Sequence, residues 1–192
     1  MPTKPKFTRD EIVRAALDIA RTDGVEAITA RTLGARLGTS PKPVFGVFSG
    51  MEQVQQEVIR AAKSVYAGYV ERGLRRTDCP AFKGVGLEYL RFASEEPRLF
   101  RLLFMTPTQA ELHYLPFVDD NYPEILASVR DGYGLTQAQA ERLYLHMGIY
   151  AHGLATLCAT RTARLSEEES AQLLTDVFTA LLKEYKGGNT HD

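Results

Sequence analysis

Between Thr29 and Phe48 the chain gathers hydroxyl and cationic side chains at a spacing that suits nucleic acid. Thr29, Arg31, Thr39, Ser40 and Lys42 supply the donors that contact phosphate oxygens and base edges, and Pro43, Phe45 and Gly46 stand beside them. No comparable set serves bond-making chemistry. The histidines at 113, 146, 152 and 191 have no carboxylate or cysteine neighbour at metal-ligand spacing. The chain has no Gly-x-Ser-x-Gly elbow, no glycine-rich phosphate loop and no Glu-x-x-His pair. The expectation is a non-enzyme with no cofactor and no metal. A small all-α enzyme using one of these histidines is the catalytic alternative. Cys79 and Cys158 form no Cys-x-x-Cys pair and are expected to be reduced thiols. Cys158, between Leu157 and Ala159, reads as a buried inert thiol before it reads as a redox sensor.

The elements that must position these groups are helices. No stretch alternates at period two, and the pattern predicts an all-α fold of about nine helices: a three-helix N-terminal helix-turn-helix domain, then a helical bundle. Thr8 caps a first helix running to about Thr22, with Asp10 and Glu11 in its first turn and Gly24 stopping it. Thr29 caps a second that buries Leu33 and Leu37. Gly34 lies on the same face with no side chain, so that a second helix can cross closely, and Gly38 ends the run in a tight turn. A third short helix is expected from Ser40 as cap, with Pro41 at its first position and Val44 and Phe48 pinning it to the core. Its N-terminal end then presents Thr39, Ser40, Lys42, Pro43 and Phe45, as a major groove requires. A helical hairpin without a DNA partner is the competing reading of this spacing. Further helices are expected over about 51–73, 82–96, 97–105, 123–131, 136–160 and 166–186, with a possible turn at 109–114.

Charge distribution supports a DNA-binding end. Residues 1–50 carry eight Lys/Arg against five Asp/Glu, a net of +3, and the whole chain of 192 residues is −1, leaving −4 for the remainder. With 44% hydrophobic and 24% charged residues the composition is that of a soluble globular protein. No window approaches a membrane span, and no apolar signal precedes the first helix, so a cytoplasmic protein is expected. The expected domains are 1–50 for the helix-turn-helix, 51–186 for a ligand-binding and dimerisation domain, and 187–192 as a disordered tail.

The stretch Thr8–Val54 resembles the DNA-binding domain of the tetracycline-repressor (TetR) family. The likeness rests on Asp23-Gly24, Thr29, Leu33, Gly34, Leu37, Gly38, Phe45 and Phe48. Two later stretches resemble the family less specifically: Tyr89–Ala93 through Pro97–Phe104, and Ala151–Leu157. The resemblance implies a ligand-responsive repressor that binds a palindromic operator in double-stranded DNA as a homodimer. Family members often place Tyr, His and Lys where this chain has Phe45, Val47 and Met51, and the Tyr and Lys usually touch phosphate. Weaker DNA binding, or binding carried by Thr29, Arg31, Lys42 and the basic arm, is therefore expected. Those departures also motivate the alternative of a helical ligand- or partner-binding protein whose head has lost sequence-specific binding.

In the body, Gly148, His152, Ala155 and Ala159 form a mostly small stripe that permits close helix approach. Leu173, Leu174, Val177, Phe178, Leu181, Leu182 and Tyr185 cover a stripe wider than one contact needs. The expected dimer interface is Gly148, Ala155, Ala159, Val177, Phe178 and Leu181, with a single large monomer core as the alternative. The candidate ligand pocket is Phe92, Phe104, Met105, Tyr122, Tyr144 and Met147, with His113 or His152 as polar handles, suiting an apolar small-molecule effector. For any one of them, plain core packing is the simpler reading. Glu88, Glu95 and Glu96 read as a solvated face that could meet a cation.

Overall fold

A computed structural model describes residues 6–106 and 121–187. The arm before Lys6, the possible turn at 109–114, His113, His191 and the tail from 188 onward lie outside them. Eight α-helices occur among the described residues: α1 (Arg9–Thr22), α2 (Ala30–Arg36), α3 (Met51–Leu74), α4 (Ala81–Glu95), α5 (Pro97–Phe104), α6 (Tyr122–Tyr133), α7 (Gln137–Ala159) and α8 (Glu167–Gly187). Two short 3-10 turns, Val25–Ala27 and Lys42–Gly46, complete the elements, and no strand is present among these residues. The all-helical class is as expected. Of the nine expected helices, eight are α-helices among the described residues; the segment expected as the third, at residues 40–48, holds the second 3-10 turn instead.

Local chemistry sets the helix ends. Thr8 accepts from the Glu11 amide at 3.2 Å while the Glu11 carboxylate accepts from the Thr8 amide at 2.7 Å. This capping box satisfies two amides that the first helical turn leaves without partners. The Thr8 amide, with the Thr8 hydroxyl donating to the same carboxylate at 3.0 Å, holds the Glu11 carboxyl below its ordinary pKa. Thr29 and Thr32 form an equivalent box on α2, and Thr136 and Gln139 form one on α7. Gly134, left-handed at φ +62°, ends α6.

The chain divides into two compact units. The described part of one is residues 6–66 and 96–106, and of the other 67–95 and 121–187. The division falls inside α3 rather than at residue 50, and α5 joins the N-terminal unit. In that unit Ile12, Ala16, Leu33, Val44, Phe48, Val54, Leu99 and Phe100 form a closed core. Two contacts tie α5 to the end of α1. Arg98 donates to the Thr22 carbonyl, one of the acceptors that the end of α1 leaves without a helical partner, and Arg21 pairs with Glu96 at 3.0 Å. In the second unit α4 packs against α6, α7 and α8. There α3 meets α4 at paired glycines: a Cβ on Gly84 would lie 2.3 Å from the Gly73 carbonyl oxygen.

Candidate nucleic-acid interface

The helix-turn-helix expectation rests on how the chain turns after α2. Gly38 has φ +65°, and its amide donates to the Ala35 carbonyl at 3.1 Å while the Thr39 amide donates to the Gly34 carbonyl at 2.8 Å. This pair of bonds is a Schellman motif, which requires a residue that tolerates the left-handed conformation after the cap. Gly34 is needed for a different reason from the one expected. A Cβ there would meet the Thr39 oxygen at 2.9 Å and the Ser40 carbonyl carbon at 2.9 Å. The connecting turn, rather than a second helix, lies against it.

From Pro41 the backbone winds as a 3-10 turn. The Val44 amide donates to the Pro41 carbonyl at 3.1 Å, and the Val47 amide to the Val44 carbonyl at 3.1 Å. The physical reason lies in the sequence. Pro43 disfavours the α conformation at Lys42 before it, and Gly46 weakens any helix that would continue, so the segment winds only as a 3-10 turn. Pro41 stands at the cap position and no side chain caps the turn, which corrects the expectation that Ser40 would do so. The anchors are as expected. Val44 and Phe48 are fully buried, and the Arg9 guanidinium covers the Phe48 ring at 4.6 Å while pairing with Glu57 at 2.6 Å. Arg9 holds the Glu57 carboxyl below its ordinary pKa chiefly through that hydrogen bond.

With Val44 and Phe48 turned inward, the rest of the turn faces out. Ser40, Lys42 and Phe45 are exposed, Thr39 and Pro43 are half-buried, and Thr29 and Arg31 are exposed on α2. Among the described residues neither Arg31 nor Lys42 is committed to an ion pair. Lys6 reaches the same surface, its Nζ donating to the Thr39 hydroxyl at 3.1 Å. Sequence reasoning named the arm without its contact, because nothing local links residues 33 positions apart. All seven expected DNA-binding residues therefore lie on one stretch of the N-terminal unit, around one turn.

The six expected pocket residues divide between the two units. Phe104 and Met105 belong to the N-terminal unit, where the Phe104 ring meets Tyr66 edge-on at 5.1 Å and Met105 is exposed. Phe92, Tyr122, Tyr144 and Met147 belong to the second unit. There Tyr122 packs edge-on against Tyr144 at 5.0 Å, and Phe82, absent from the expected set, stacks near both Tyr144 and Phe178. Also on α7, His152 Nδ1 and the Tyr89 hydroxyl share a hydrogen bond at 2.9 Å. Burial lowers the His152 pKa. A separate cavity of about 140 Å³ opens between α4 and the start of α8, lined by Leu87, Leu90, Arg91, Glu95 and Ser170 among others.

The expected dimer residues divide by burial. Ala155 and Ala159 are closed off within their own chain at 0% and 1% exposure, so they lie behind a face rather than on it. Gly148, Val177, Phe178 and Leu181 are half-buried. The exposed apolar ridge of α7 runs through Ile149, Gly153 and Leu157, one helical turn apart, with Ile149 58% exposed.

Glu88 corrects the solvated-face reading. It is 2% exposed and accepts from Arg72 at 3.1 Å and Arg91 at 2.9 Å, with Arg76 at 3.9 Å. Arg76 and Arg91 both continue to Glu167 on α8 at 2.7 Å. Arg76 also grips Asp78, whose carboxyl it brings down to about 2. The cations that meet Glu88 are thus the chain's own. Glu95 likewise accepts from the Tyr69 hydroxyl at 2.8 Å.

A family model described as the tetracycline repressor-like C-terminal domain matches residues 82–185, from the start of α4 to the end of α8. The chain belongs to the TetR family. Among curated proteins, none matches it. TetR membership therefore rests on the half of the chain that sequence motifs marked least distinctly, whereas the clearest motifs lie in the unit carrying the turn at Gly38. The family match points to a regulator rather than an enzyme. No described helix is long and apolar enough to cross a membrane.

Proposed function

We propose that this TetR-family chain is a ligand-responsive transcriptional repressor that binds a palindromic operator as a homodimer. The observation that carries the reading is the clamped turn at Gly38. The turn rests on Gly34 and is anchored by Val44 and Phe48, and it holds Thr39, Ser40, Lys42 and Phe45 outward beside Thr29 and Arg31. One such short turn reads few base pairs, and two-fold symmetry doubles the site. The half-sites would lie roughly 34–36 Å apart or a multiple of that. The ridge Ile149–Gly153–Leu157, with the half-buried apolar face of α8, supports the dimer as a four-helix contact.

The effector is an apolar small molecule received by the second unit near Phe92, Tyr122, Tyr144 and Met147. α3 contributes residues to both units and is the element whose shift changes the spacing of the two heads. The ligand must bind one spacing more tightly than the other for this to regulate.

The test is selection of bound fragments from sheared genomic DNA of the source organism, at physiological salt with nonspecific competitor. Recovered fragments should share a palindrome, and a Thr39→Ala Lys42→Ala variant should lose them. Fragments with no common sequence, before and after unfolding and refolding to strip any bound ligand, would favour the alternative: a helical ligand- or partner-binding protein whose head no longer reads DNA.

A further inference from the structure

Phe45 is 52% exposed, the most exposed large apolar side chain among the described residues of the N-terminal unit. Its exposure follows from its neighbours: Val44 and Phe48 are locked into the core on either side, so the ring between them must face away. Nothing crowds the turn beside it, for a Cβ on Gly46 would meet no atom within 4 Å. The amides of Thr39 and Val44 are spent on the Gly34 and Pro41 carbonyls, and Pro41 and Pro43 have no amide hydrogen to offer. A phenyl ring cannot hydrogen-bond to phosphate or to the donor and acceptor edges of the bases. In the major groove one group is apolar, the C5-methyl of thymine.

Resting on the DNA-binding reading above, we infer that Phe45 is a specificity-determining residue that selects thymine in each half-site by packing on its C5-methyl group. Lys42 and Arg31 fix the turn against phosphate, and Phe45, flanked by the half-buried Pro43 and Val47, sets sequence preference by apolar contact. An operator read this way carries thymine at a fixed place in both halves.

The test uses the full-length protein and a duplex selected from a random-sequence pool, resynthesised with deoxyuridine in place of each thymidine in turn. Uracil pairs as thymine does and lacks only the methyl group. At one or two symmetric positions per half-site, uracil should weaken binding about fourfold for each methyl group lost. In Phe45→Ala, whose exposed site leaves the core intact, thymine and uracil duplexes should bind alike at those positions. Sequence-specific duplexes that bind equally well with uracil throughout, or a uracil effect that persists in Phe45→Ala, would overturn the inference and leave DNA binding standing. Failure to select any duplex would overturn the DNA-binding reading, and this inference with it.

Discussion

The carbonyl oxygen of Gly73 lies where a Cβ on Gly84 would come within 2.3 Å of it. α3 and α4 therefore cross with their backbones in contact, and neither glycine can gain a methyl group without the helices separating. Gly84→Ala should cost about 3 kcal/mol or more, the scale of severe overpacking, although alanine is intrinsically the better helix former. Gly34→Ala should also destabilise, because the backbone of Thr39–Pro41 stands about 3 Å from the added carbon. Gly68, on α3, has open space at the same position, and Gly68→Ala should stabilise by about 0.5–1 kcal/mol. Urea midpoints at constant slope measure all three. A neutral Gly84→Ala would show that the crossing is looser than described.

Glu88 anchors the charged network at the same end of α3. Glu88→Gln keeps the shape and removes the charge, leaving Arg72, Arg76 and Arg91 crowded without their shared counter-ion. Because these arginines retain access to water, the expected cost is about 2–3 kcal/mol, below that of breaking a fully buried pair. Glu167 is half-exposed, and Glu167→Gln should cost less than about 1 kcal/mol. Equal costs for the two would contradict the burial assigned to Glu88.

How much of this was legible in the sequence differs by element. The caps at Thr8 and Thr29 could be anticipated in place because a cap is settled by residues within three positions. The left-handed turn at Gly38 followed from the same local logic. The turn after it was expected as an α-helix. Pro41 and Pro43 are each tolerable in a first helical turn, but Pro43 disfavours the α conformation at Lys42 and Gly46 follows it, and together they leave a 3-10 winding. Glu88 was misread because two of its three partners, Arg72 and Arg76, lie outside α4. Arg72 is 16 positions away, and no periodicity joins it to α4. The aromatic candidates were placed on helices correctly. Which unit Phe104 and Met105 join depends on the packing of α5 against α1, which sequence spacing does not carry.

His152 gives the second unit a specific response to acid. Burial lowers its pKa below the ordinary 6.5, so the unfolded chain binds more protons than the folded one in the interval between the two values. Stability should therefore fall as pH drops below about 6.5 and level off once the folded-state value is passed. Carboxyl groups with depressed pKa values titrate below this interval. The loss of denaturation midpoint between pH 7.5 and 5.5 should be smaller in His152→Gln than in the natural chain. Identical losses would remove His152 as the cause.

The exposed ridge of α7 predicts how the protein assembles. Ile149→Asp with Leu157→Asp places charge where two copies are proposed to meet, while both side chains are already open to water within one chain. Sedimentation should show a dimer for the natural chain and a monomer of unchanged helicity for the variant. A variant that remains dimeric would move the interface elsewhere on the chain.

The central claim is that two copies of the turn from Thr39 to Phe48 enter the major groove. Methylation protection at guanine N7, which lies on the floor of that groove, tests it on a palindromic duplex recovered from the genomic selection. The account predicts two protected patches related by the palindrome, separated by roughly one helical turn or a multiple, and both lost in Thr39→Ala Lys42→Ala. Tight binding without protection at N7, or with one unpaired patch, would contradict it.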